Sequence, residues 1–276
     1  MVKPNYLFSP NLYFMHIEIP NALIEELSSK YNLDAEKLKS VSLKINESDG
    51  MYEPHKEGSA AHYFVVGLQA RHIISKNLAI VNAQEPKRIL DFGCGHGRVM
   101  RHLKVFFPAT EIIGTEVIES CIDYCNASFG AKTFLSSPSF LNLLPNLNAD
   151  VIWAGSVYTH ISAKRFKNLL KYFSESLKTG GIAVITTHGR KTEAYLPTHG
   201  YGLSALKVKL VLAQYDLFGF GYADYAGAKN YGTSINTPAW FCGMLKKEFP
   251  ELRLVSYTEQ YWDNHQDVIC VQRIDY

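Results

Sequence analysis

At 276 residues, 47% of them hydrophobic and 20% charged, the chain has the composition of a globular protein with one large core, or one domain with an appendage. Its 28 basic and 26 acidic residues leave a net charge of +2 and are scattered among one another, which disfavours a nucleic-acid surface. The five cysteines (Cys94, Cys121, Cys125, Cys242, Cys270) are an odd number with neither disulfide-framework spacing nor a zinc set, so a reduced, cytoplasmic setting and no metal are expected.

The first 20 residues are aromatic and interrupted by proline, unlike a signal peptide. No stretch approaches the roughly 20 apolar residues of a membrane helix. Asn21 is placed to cap a short helix, and Asp34 a second one running through residue 44. Asp49-Gly50 and Glu53-Pro54 then break the chain. Ser59 opens a longer helix with Tyr63, Val66, Ala70, Ile73, Ile74, Leu78 and Val81 on one face. Residues 1–85 therefore read as an N-terminal helical extension.

From Lys87 the pattern changes. Strand-like runs at 88–91, 111–116, 132–135, 150–154 and 182–187 alternate with helices carrying apolar stripes, such as Val99, Leu103 and Phe106, or Phe166, Leu169, Leu170 and Phe173. That alternation predicts an α/β domain over 86–276, with a doubly wound, mostly parallel sheet. Residues 189–237 interrupt it. They are rich in Tyr and Gly, hold one helical piece at 203–212, and read as a lid insertion. A helix capped near Thr237 and strands near 252–258 and 268–273 close the chain.

The chemistry is carried by Ile89-Leu90-Asp91-Phe92-Gly93-Cys94-Gly95-His96-Gly97-Arg98, which follows a buried-looking strand and opens a helix. A dinucleotide site needs glycine at 98, where Arg98 stands, and Asp91 would face its pyrophosphate. A cationic ligand without phosphate turns Asp91 into an asset. Glu116 ends the next strand, within the roughly 20-residue interval of a ribose-binding carboxylate.

Two strand-end acids around D-x-G-x-G-x-G, in this order of elements, resemble the class I (Rossmann-like) S-adenosylmethionine (SAM)-dependent methyltransferases over about residues 59–272. The resemblance extends to Leu177-Lys178-Thr179-Gly180-Gly181, similar to the family's L-x-P-G-G turn with Thr179 in place of proline. It implies a seven-stranded sheet whose last strand is antiparallel. It also implies SAM as cofactor and S-adenosylhomocysteine (SAH) as product. By resemblance, Asp91, Gly93, Cys94 and Gly95 line the methionine part, Glu116 holds the ribose, Val117 touches the adenine, and Ala154 and Gly155 flank the sulfonium. Where the family carries an acid near the adenine amino group, this chain has Ser136-Ser137-Pro138, and Ser137 or backbone groups are the substitutes.

His160, His188 and His265 fall at strand ends on the ligand side of such a sheet. Each is a candidate general base, since imidazole ordinarily titrates near neutrality. The tyrosines of the insertion suit a wall for a small-molecule or saccharide acceptor, methylated on oxygen. A non-catalytic, SAM-binding regulatory or scaffold protein is the alternative. A nicotinamide oxidoreductase is disfavoured by Arg98.

Overall fold

The computed structural model describes residues 14–138, 143 and 147–275. First come β1 (Phe14–His16), α1 (Asn21–Tyr31), α2 (Ala35–Lys39), β2 (Lys44–Asn46) and α3 (Ser59–Ile80). The alternating part follows: β3 (Arg88–Phe92), α4 (Met100–Phe106), β4 (Glu111–Glu116), α5 (Glu119–Phe129), β5 (Lys132–Leu135), β6 (Ala149–Ala154), α6 (Ala163–Ser176) and β7 (Leu177–Thr187). The inserted segment forms α7 (Arg190–His199), α8 (Ala205–Phe218), β8 (Phe220–Asp224) and β9 (Gly232–Asn236). The chain then runs through α9 (Pro238–Glu248), β10 (Leu252–Trp262) and β11 (Gln266–Arg273).

Seven strands make one sheet in the order β10-β11-β7-β6-β3-β4-β5. β11 runs antiparallel to both its neighbours, and the other adjacent pairs are parallel. This is the seven-stranded, mostly parallel sheet with an antiparallel last strand that the sequence predicts.

Side chains alternate across a strand, so a strand buried on both faces must be apolar throughout. Ile89, Val151, Trp153, Ile182, Val184, Val268 and Cys270 join the core beneath α3 and α4. Their immediate neighbours Leu90, Ile152, Ala154, Ala183, Ile185, Ile269 and Val271 join the core beneath α6 and α9. The N-terminal elements belong to the first of these layers, through Ile24, Leu27, Leu38 and the long face of α3.

Several local readings change. The helix begun by Asp34, whose carboxylate accepts from the Glu36 and Lys37 N–H groups, stops at Lys39 instead of reaching 44, and Lys44–Asn46 pairs with Phe14–His16 as a strand. The helix expected at 203–212 runs over Ala205–Phe218 and packs Val208, Val211 and Tyr215 on Leu196, Ala223 and Ile235, a small core of the insertion's own. The insertion also holds α7 and a β8–β9 hairpin that its Gly- and Tyr-rich sequence does not announce. Among the described residues no helix is long and apolar enough to cross a membrane.

Candidate active site

β3 lies where the strand order reverses, with β4 on one side and β6 on the other, so a crevice opens beyond its carboxyl end. The glycine turn sits there. Gly93, Gly95 and Gly97 have φ of 74°, 51° and 76°, the left-handed region that side chains with a Cβ disfavour. The Gly93 and Cys94 N–H groups both donate to the Thr115 carbonyl, at 2.8 and 3.0 Å, and pin the turn to β4. A Cβ on Gly97 would stand 2.4 Å from the Phe129 ring, whereas one on Gly95 would meet nothing within 4 Å. Gly95 borders open space.

Asp91, in β3 two residues before the turn, is 2% exposed, and among the described residues its Oδ2 has no hydrogen-bond partner. Burial first, and the Glu116 charge second, push its carboxyl up to about 7. Glu116 accepts from the Gly95 N–H at 3.1 Å and from the Val117 N–H at 2.6 Å. A carboxylate has about four acceptor sites, so both oxygens keep capacity for hydroxyl donors.

Val117, Ile118 and Leu135 stand exposed around the ends of β4 and β5, where Glu116 lies opposite Leu135. They form an apolar rim. Ser137 is partly buried just beyond β5, in a loop tied back by the Ser136 N–H to the Glu116 carbonyl at 2.7 Å. Cys94 is buried, and its contact with Cys125 and its burial hold the thiol well above the usual range, so it packs as a neutral group. Ala154 ends β6, and a Cβ on Gly155 would come 2.7 Å from the Trp262 ring. His96 is turned onto α5, 3.6 Å from the Cys121 sulfur and 3.4 Å from the Ser48 hydroxyl. A buried carboxylate with one oxygen unpartnered among the described residues, beside a glycine cradle, fits a cationic ligand bearing hydroxyls. A phosphate would meet two acids there.

The three strand-end histidines converge. His160 closes a short 3-10 turn after β6, His188 follows β7, and His265 sits between β10 and β11. Ring centres are 6.4 Å apart for His160 and His188, and 5.3 Å for His188 and His265. The insertion completes the cluster. Tyr231 lies 5.0 Å from His160, and Tyr201 stacks on His265 at 5.7 Å with planes 5° apart. The Nδ1–H groups of His160 and His188 face the carbonyls of Gly232 and Ser234, at 2.9 and 3.2 Å, both on β9. Donation there leaves each Nε2 with its lone pair.

None of the three keeps an ordinary imidazole pKa. Burial lowers His160 and His265 below 6.5, and burial with the neighbouring His265 and His160 pushes His188 down to about 3. The expectation of near-neutral titration rested on the unperturbed imidazole, and burial at these strand ends overrides it.

Sequence reasoning missed a polar ring beside Gly155. The Ser156 N–H donates to Thr186 Oγ1 at 2.7 Å, Thr186 donates to Gln266 Oε1 at 2.5 Å, and Gln266 Nε2 donates to Ser156 Oγ at 2.8 Å. No sequence signal joins Ser156 to Gln266, 110 residues apart. Trp262, whose ring packs on Gly155, was missed for the same reason.

Comparison with known proteins agrees with this geometry. The profile of a family described as methyltransferase domain matches residues 65–215, more than half of the chain. No curated protein matches it. Among solved structures, the plantazolicin methyltransferase BpumL, in complex with a pentazolic desmethylPZN analog and SAH, is 15% identical with a TM-score of 0.56, covering 93% of this chain and 100% of its own. A SAM-dependent methyltransferase from Clostridium acetobutylicum is 14% identical with a TM-score of 0.54, covering 75% and 92%. One from Mesorhizobium loti is 15% identical with a TM-score of 0.50, covering 72% and 96%. At these identities the structures testify to a shared fold. The glycine turn, its flanking acids, the sheet order and the family profile agree, and the chain belongs to the methyltransferase-domain family of the class I, Rossmann-like SAM-dependent superfamily.

Proposed function

We propose that the protein binds SAM over the glycine turn and transfers its methyl group to an oxygen of a small-molecule or saccharide acceptor held against the histidine–tyrosine cluster. The observation that carries this reading is the buried Asp91 carboxylate before the turn, whose Oδ2 has no hydrogen-bond partner among the described residues. When bound, SAM supplies a methyl group activated by its sulfonium. Asp91 takes the ligand's ammonium, Glu116 accepts from the ribose hydroxyls, and Gly93, Cys94 and Gly95 leave room along the methionine chain. Val117 covers the adenine with the apolar rim, Ser137 serves its polar edge, and Ala154 and Gly155 border the sulfonium. Of His160 and His188, His160 is the better base. His188, at about 3, is too weak an acceptor, whereas His160 is lowered less drastically and is only partly buried.

A pH titration of SAH binding tests the reading. Asp91 must be ionised to hold an ammonium, and its carboxyl titrates at about 7 in the free protein. Affinity should therefore rise about tenfold per pH unit up to about 7 and then level off. Asp91→Asn should bind weakly with no such slope. A wild-type affinity flat from pH 5 to 8 would contradict it.

Glu116→Ala should weaken SAH binding by about 1–3 kcal/mol, the range for losing a charged hydrogen-bond partner. Calorimetry measures the loss, and a thermal transition without ligand checks the fold. Collapse of that transition would reassign Glu116 to bracing the turn through Gly95 and Val117.

A further inference from the structure

α8 (Ala205–Phe218) has two apolar faces, and the insertion buries only one of them. Val208, Val211 and Tyr215 pack into the insertion's own core. At about 3.6 residues per turn, Leu206, Leu210, Ala213 and Leu217 fall in one narrow stripe on the opposite side of the helix. Leu206 is 79% exposed, Leu210 50% and Leu217 75%, and Ala213 is exposed between them. A surface helix ordinarily turns polar side chains to water on this face. Scattered apolar residues at a surface need no explanation, but a continuous row of them marks a contact surface.

The spacing along the stripe, four, three and four residues, is that of a coiled-coil seam. It reads the same from either end. Two copies laid antiparallel about a two-fold axis therefore set Leu206 of one against Leu217 of the other. The same axis sets Leu210 against Ala213, a large side chain against a small one.

The charges select this arrangement. Lys209 and Asp216 are both exposed, and they lie about two turns apart along the same flank of the stripe. In an antiparallel pair that flank meets itself, so Lys209 of each copy comes within reach of Asp216 of the other. A parallel pair would bring it against the opposite flank, where Lys207 stands, and would set lysine beside lysine.

We propose that the outer face of α8 is a self-association surface, and that its occupant is α8 of a second copy of the chain, paired antiparallel. The surface is small, so the dimer is a reversible one, with a Kd of about 1–100 µM. The pairing lies outside the glycine turn and does not depend on what that turn binds.

Sedimentation velocity on the full chain, over about 1–300 µM, tests it. Wild type should pass from monomer to dimer across that range. Leu210→Glu alters an exposed side chain away from the insertion's core, and should raise Kd by more than about 100-fold, since each dimer loses the contact twice. Lys209→Glu and Asp216→Lys should each weaken the dimer by about three- to tenfold, because either alone leaves like charges along the flank. Mixed in equal amounts, these two variants should recover most of the lost affinity, because only the mixed pair restores opposite charges at both crossings. The charge variants decide the matter if Leu210→Glu lacks a thermal transition. A wild type that stays monomeric throughout would overturn the proposal, and its sedimenting with phosphatidylcholine–phosphatidylglycerol vesicles would assign the face to a lipid surface. A dimer that keeps its Kd in Leu210→Glu, or a mixture no tighter than its components, would overturn it as well.

Discussion

Gly95→Arg is expected to leave the protein folded and to remove measurable binding of SAM and SAH. Nothing lies within 4 Å of a Cβ built at this position, so the new side chain meets no protein atom on leaving the backbone. The remaining cost is a non-glycine residue at φ 51°, about 1–2 kcal/mol, which a domain with two extensive cores tolerates. What changes is the cradle. A long cationic side chain fills the open space and can pair with the Asp91 carboxylate in place of the ligand's ammonium. Gly95→Ala serves as the control, carrying the same backbone strain with little bulk, and should lose about tenfold in affinity at most. Calorimetry with a matched thermal transition checks both. Equal affinity of wild type and Gly95→Arg would remove the turn from the binding site altogether.

His160→Ala is expected to lower turnover by about 10²–10⁴-fold, the range for a positioned general base, with SAH affinity almost unchanged. The assay is SAH release with an acceptor drawn from a screen of hydroxylated small molecules and saccharides. A base must be neutral to accept a proton, so kcat falls as pH drops through its pKa. Burial lowers His160, so the acid limb of kcat should lie below 6.5. The Asp91 limb near 7 should appear in kcat/KM for SAM and not in kcat, because saturating ligand holds Asp91 ionised. His188→Ala and His265→Ala are matched comparisons within the same cluster. A larger loss for either would move the role to it. Small losses for all three would leave positioning of the acceptor as the source of rate.

The parts of this site that the sequence discloses are those carried by short-range pattern. β3 and the glycine turn are legible because Ile89 and Leu90 must face two cores and the turn must take positive φ at three places. Glu116 is legible because one strand-helix-strand unit has a nearly fixed length. The insertion is not. Pro197 interrupts the pattern of α7, and β9, with the sequence Gly232-Thr233-Ser234-Ile235-Asn236, is wholly buried although mostly polar. Its polar groups are satisfied by partners distant in sequence, such as the Tyr158 carbonyl for the Ser234 hydroxyl and the Tyr201 carbonyl for Thr233. The histidines could be placed at strand ends, but their lowered pKa values follow from being covered by that insertion. Arg98 was readable only as a missing glycine. Its setting depends on Tyr63 and Trp262, which lie 35 residues before and 164 after it in the chain.

Titration of the wild-type protein with SAH, SAM and NAD under one set of conditions tests the central claim most directly. SAH and SAM should each bind at one site per chain, with heat and saturation, and NAD should give no saturable signal. Saturable binding of NAD with none of SAH or SAM would contradict the account, and would return the glycine turn to the dinucleotide reading that Arg98 and Asp91 argue against.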